Sequence, residues 1–170
     1  TLGQSATSVI NITSVEDLGG GMKATAHYGL DPRALSNDAG AIGRDELFVG
    51  VSGGFGNIRL GSPNSIGLTT FLVASPLGTG VGSGYGATAG DYSSVRYSRS
   101  ARYDSPSFSG LTVSLLVAPG NDQAVAASPA SAQGIANARA VTEIGLRYDN
   151  GPLTVAFANV AQAAQTNGPA

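Results

Sequence analysis

Apolar residues alternate with polar or small ones along eight short stretches of this chain of 170 residues. Ile10 and Ile12 oppose Asn11 and Thr13, and Ala24, Ala26 and Tyr28 oppose Lys23, Thr25 and His27. Leu47, Val49 and Val51 oppose Glu46, Phe48 and Gly50, while Ile58 and Leu60 oppose Asn57, Arg59 and Gly61. Ala101 and Tyr103 oppose Ser100, Arg102 and Asp104; Leu111, Val113, Leu115 and Val117 oppose Thr112, Ser114, Leu116 and Ala118. Ile144, Leu146 and Tyr148 oppose Glu143, Gly145, Arg147 and Asp149, and Leu153, Val155 and Phe157 oppose Thr154, Ala156 and Ala158. A side-chain period of two is that of a strand whose two faces meet different surroundings.

The connections between these stretches come in two kinds, in strict alternation. Tight turns fall at Asp17 to Gly21, Gly53 to Gly56, Ser105 to Gly110 and Asp149 to Pro152. Between them lie long polar or small-residue connections over residues 31–43, 62–93 and 119–140. Every second strand end therefore lies on a plain rim and every other on an elaborated one. The pattern predicts an all-β fold, an antiparallel up-and-down barrel that crosses a membrane with its short turns on one side.

A soluble β-sandwich shows the same alternation, so the environment is decided by the apolar face. That face consists mostly of single Val, Leu, Ile and Ala, which suit lipid contact and would fill a protein core poorly. Tyr103 and Tyr148 share its parity and precede short turns, the depth at which an aromatic girdle meets lipid headgroups.

Composition narrows the membrane alternative. The longest uncharged run, residues 60–90, is rich in Gly, Ser and Thr, so nothing approaches the ~20 apolar residues of a spanning helix. Charged residues make up 12%, against about 25% in soluble domains. Mean hydropathy is +0.09, as expected when one strand face meets lipid and the other water. A net charge of −2 offers no basic field for nucleic acid, and the single His27 with no Cys leaves few metal ligands, so neither cofactor nor metal is expected. The absence of cysteine is compatible with export through the periplasm. Thr1 opens a polar stretch with no signal peptide, which reads as a processed chain or one that starts inside a longer protein.

The turn segments carry a resemblance. Glu16 to Ala24 (EDLGGGMKA), Phe48 to Gly56 (FVGVSGGFG), Arg102 to Gly110 (RYDSPSFSG) and Tyr148 to Leu153 (YDNGPL) resemble, in order, the general porins of Gram-negative outer membranes, of the beta-proteobacterial and neisserial type. The resemblance implies a homotrimer of sixteen-stranded barrels embedded in outer-membrane lipid, with water-filled lumens narrowed by a long third loop folded inward. This chain resembles the first half of such a barrel, with about eight strands, and residues 1–170 form part of one barrel domain. Its last residues lack the terminal aromatic strand of outer-membrane barrels.

Residues 62–93 stand where the constriction loop of that family stands. A long connection without secondary structure is usually functional. The family generally carries carboxylates there, facing arginines on the wall; here Asp91 is the only acidic residue, and Gly78 to Gly86 is nearly featureless. The repeated glycines do not make a nucleotide loop, since no Lys-Ser or Lys-Thr follows and no helix-forming segment is placed to present amide groups. Catalysis is not expected either: no Ser, Asp and His27 stand in a strand-turn-helix elbow.

Charge sorting suggests selectivity. Arg59, Arg102 and Arg147 have lumen parity near the short turns, and at ~3.3 Å per residue they are expected at similar heights as a basic ladder. Arg102 matches the family's arginine before its Tyr-Asp-Ser-Pro turn, whereas the arginine often found after Leu60 and Gly61 is Ser62 here. Glu46 and Glu143 lie further from their turns and are expected higher, with Asp17, Asp104 and Asp149 around the periplasmic mouth. The expected pore-lining set is Arg59, Arg102, Arg147, Glu46, Glu143, His27 and Asp91. Rings of arginine favour anions, so the expectation is an anion-preferring diffusion channel for small hydrophilic solutes. The competing class is a structural or ligand-binding β-protein, an adhesin or small closed barrel, using the long loops for recognition.

Overall fold

The computed structural model describes residues 9–31, 43–78, 95–120 and 140–163. All eight expected strands form: β1 (Ile10–Gly19), β2 (Met22–Asp31), β3 (Gly43–Gly53), β4 (Gly56–Ser62), β5 (Ser100–Asp104), β6 (Leu111–Ala118), β7 (Val141–Asn150) and β8 (Leu153–Gln162). They pair in sequence order as one sheet, each neighbour antiparallel to the last, with β1 and β8 as its edges. The strands of β1, β2, β7 and β8 are 10 residues long, within the ~9–11 that a tilted strand needs to cross a bilayer.

Because successive strands are antiparallel, the four short connections share one rim and the three long ones the other. The rim of short turns is tightly drawn. Gly110, at φ +91°, lies so close to the next hairpin that a Cβ there would stand 2.3 Å from the Asp149 carbonyl oxygen, so no other residue fits without movement.

The sheet's two faces differ as the alternation requires. On one, Val49, Leu60, Val155 and Phe157 are each more than half exposed, and Leu111, Val113, Leu115 and Val117 join them. So wide an apolar surface exceeds what a soluble monomer presents, and it suits lipid or a neighbouring subunit. No helix among the described residues is long and apolar enough to cross a membrane.

The opposite face, called inner below, carries a helix. α1 (Ile66–Val73) lies against β6, β7 and β8, so the connection expected to lack secondary structure instead starts with two turns of helix. Ile66, Tyr97, Leu116, Ala118 and Val141 are buried together, with Ala158 and Val160 packed against them. The main apolar cluster thus lies between this inward segment and the wall. Burial of such side chains stabilises by about 1.5–3 kcal/mol each, which is what keeps the segment seated.

Candidate functional site

The sequence of α1 (IGLTTFLV) is a poor helix former, with a Gly and four β-branched residues, and it carries no charge at either end. Its stability comes from its caps. Ser65 is the N-cap, its Oγ accepting from the Leu68 amide at 3.0 Å. The amides of Ile66 and Gly67 donate to Glu143 Oε2 at 2.5 and 3.2 Å, and the Tyr97 hydroxyl donates to Glu143 Oε1 at 2.9 Å. Glu143 is 0% exposed. A carboxylate is costly to bury alone, but here three donors and the positive end of a helix offset that cost.

Gly145 makes the seat possible. A Cβ at this position would lie 2.4 Å from Ile66 Cγ2, and Ala156 and Ala158 keep the neighbouring strand low. The residues before α1 are held as firmly. Arg102, also buried, donates from Nη1 to the Asn64 carbonyl at 2.7 Å, while the Asn64 amide donates to Glu46 Oε1 at 2.8 Å.

A β-bulge adds a further anchor. Between the pairs Tyr28–Leu47 and Leu30–Arg44, only Gly29 stands on β2 opposite both Asp45 and Glu46 on β3. The bulge breaks the alternation, and both carboxylates reach the inward segment: Glu46 takes Asn64, and Asp45 forms an ion pair with Arg96 on the returning arm. Asn64 and Arg96 are themselves bridged, so adjacent acids on the wall grip both arms. Gly29 makes room for this, since a Cβ there would meet Asp45 Cβ at 2.9 Å.

The three arginines do not form one ladder. Arg59 and Arg102 are cross-strand partners, and both pair with Asp104, which also accepts from Ser114 at 2.6 Å. Arg102 stands opposite Leu116 on β6, whereas Arg147 stands opposite Thr112, four positions away or about 13 Å along the strand. Glu143 is also opposite Leu116, so the carboxylate expected above the arginines shares the cross-strand row of Arg59 and Arg102. Asp104, the last residue of β5, is drawn among guanidiniums, its side chain only 17% exposed.

Arg147 pairs instead with Asp149, Nε to Oδ2 at 2.7 Å and Nη2 to Oδ1 at 3.1 Å. The Arg59 guanidinium lies over the Phe48 ring, 5.5 Å from its centroid, and Phe48 stacks on His27 at 5.2 Å. His27 in turn bonds Thr13 through Nδ1 at 2.9 Å. Asp91 lies outside the described residues.

Sequence reasoning missed Asp45, Tyr97 and Ser65 as holders of the inward segment. Of these only Ser65 left a signal, a capping residue directly before an apolar run. Among the described residues, no group of three or more His, Cys, Asp or Glu is placed to hold a metal.

Known proteins share this sequence pattern and fold. A family profile described as Gram-negative porin matches residues 1–169. Outer membrane porin protein 32 of Delftia acidovorans is 28% identical over 173 aligned residues, covering 96% of this chain and 47% of the relative. Major outer membrane protein P.IB of Neisseria gonorrhoeae is 34% identical over 113 residues, covering 66% and 32%. An anion-selective porin from Comamonas acidovorans shares the fold, with a TM-score of 0.72 at 24% identity, covering 95% of this chain and 49% of that one. The chain spans less than half the length of the curated relatives it matches.

Proposed function

The chain belongs to the Gram-negative porin family, whose members are outer-membrane channels, and from that premise we propose that it forms part of the wall of an anion-preferring passive diffusion channel for small hydrophilic solutes. The inner face lines water, and residues 62–93 form the loop that narrows it, beginning at α1. The short turns face the periplasm and the long connections face outward from the cell.

One observation carries the anion preference. A single carboxylate, Asp104, is shared by the guanidiniums of Arg59 and Arg102, which leaves that cluster one positive charge in excess. Glu143, the next acid in the row, is fully buried beneath α1 and not presented to the lumen, and α1 itself brings no acid to oppose the arginines. Fixed positive charge beside a narrowing favours anions over cations. The Comamonas porin named as anion-selective is consistent with this reading.

The full assembly is a homotrimer of larger barrels in outer-membrane lipid. Glu16 supports a subunit contact: it is exposed, stands opposite Ala24, and so shares the outer face with Val51, where lipid tails would be unsuited to it.

The test is reversal potential across a planar bilayer in a KCl gradient, using the full-length protein at about 0.1 M salt, where the Debye length is about 10 Å. Arg59→Gln is expected to lower the anion preference and Asp104→Asn to raise it. If neither shifts the reversal potential, this cluster does not set selectivity.

A further inference from the structure

We propose that His27 is a second determinant of ion preference, one that acidification switches on by adding a positive charge to the inner wall; the inference rests on the channel reading above. His27 on β2 stands directly across from Phe48 on β3, their rings stacked at 5.2 Å with 16° between the planes. From the other flanking strand, β4 brings the Arg59 guanidinium over the same phenyl ring. Sharing Phe48 with Arg59, whose partner is Asp104, puts the imidazole on the inner face, where it is half-buried and open in part to water. α1 is seated at the far end of the sheet, on β6, β7 and β8, so His27 lies outside the cavity beneath it.

The surroundings suit a change of charge. Imidazole is the side chain whose charge ordinarily changes between pH 5 and 8. Thr13 Oγ1 lies 2.9 Å from Nδ1, and a hydroxyl can donate to a bare ring nitrogen or turn to accept from a protonated one. Neither protonation state therefore leaves Nδ1 without a partner. Phe48 offers the charged ring a π surface in place of a merely apolar neighbour.

The added charge stays uncompensated. The hydrogen-bond partner of His27 is a hydroxyl rather than a carboxylate, so a proton gained here closes no ion pair. Among the described residues the nearest acids are already engaged: Glu46, two residues along β3 from Phe48, accepts from the Asn64 amide, and its neighbour Asp45 pairs with Arg96. Lys23, four residues along β2 or about 13 Å, stands across from Asp17. Neither the imidazole nor the Arg59 guanidinium is more than 5.5 Å from the Phe48 centroid, so they lie within about one Debye length of each other at 0.1 M salt and act on a passing ion together. Arg59, Arg102 and Asp104 carry one excess positive charge, and a charged His27 makes it two.

Reversal potential of the full-length protein in a KCl gradient at about 0.1 M, followed from pH 8 to pH 5, tests the proposal. One charge about 10 Å from the ion path is expected to raise the chloride-to-potassium permeability ratio about twofold over that range. His27→Gln keeps an uncharged, hydrogen-bonding side chain and is expected to remove that twofold part, whatever pH dependence other groups contribute. His27→Arg is expected to show at pH 8 the ratio that the parent reaches only at pH 5. A His27→Gln response equal to the parent's, or a His27→Arg ratio at pH 8 equal to the parent's, overturns the role of His27. A parent protein without anion preference at any pH overturns the channel reading instead.

Discussion

Replacing Glu143 with Gln keeps the shape of the side chain and removes its charge, and the structure sets the size of the loss. One carboxylate accepts from the Ile66 amide, the Gly67 amide and the Tyr97 hydroxyl. Hydrogen bonds to an ionised acceptor contribute about 1.5–3 kcal/mol and neutral ones about 0.5–1.5, so each of the three weakens by about 1 kcal/mol. The new amide nitrogen faces Tyr97, whose hydroxyl can turn to accept from it. The total is about 3 kcal/mol, or about 100-fold in the equilibrium between seated and released α1. Arg102, Glu46 and the apolar packing of Ile66 and Tyr97 still hold the segment, so the barrel wall survives. Amide hydrogen exchange on the folded full-length protein in detergent micelles reads this directly. Protection at Ile66 and Gly67 is expected to fall about 100-fold, while Ile144 and Leu146 in β7 stay protected. Protection unchanged within about threefold, or lost equally across β7 and β8, refutes the assignment of Glu143 as the cap.

Two further outcomes follow from the same geometry. Gly145→Val places side-chain atoms where Ile66 Cγ2 already lies, so α1 should lift from the wall at a cost of about 1–3 kcal/mol, whereas Gly54→Ala enters open space and should leave single-channel conductance and its noise unchanged. Spin labels at Val113 and Ser114 should show opposite accessibility to lipid-soluble and water-soluble quenchers, since Ser114 bonds Asp104 on the inner face while Val113 lies on the outer; equal accessibility contradicts that parity.

The wall is legible in the sequence because its cause is local. Val113 and Leu115 face one way and Thr112 and Ser114 the other through pleat geometry alone, and the turn glycines mark where each strand stops. The inward segment is not legible for the opposite reason. α1 has weak intrinsic propensity, and its decisive cap is a carboxylate 77 residues away from Ile66. Alternation likewise assigns Glu46 to the inner face but turns Asp45 outward; the bulge opposite Gly29, a matter of register between strands, brings Asp45 back. Arginine parity finds Arg59, Arg102 and Arg147, yet which of them share Asp104 depends on cross-strand register that no single strand encodes.

The long separation between α1 and its seat imposes an order on assembly. Each hairpin closes between residues near in sequence and can form early, but α1 leaves β4 before β6, β7 and β8 exist as a surface to receive it. Non-local contacts form late because the loop entropy must be overcome before they contribute. A chain interrupted before β7 has a helix sequence with nowhere to go. The seating of α1 is therefore a late event, completed only after the wall that receives it is in place, so a newly paired sheet passes through a stage in which its inner face is bare.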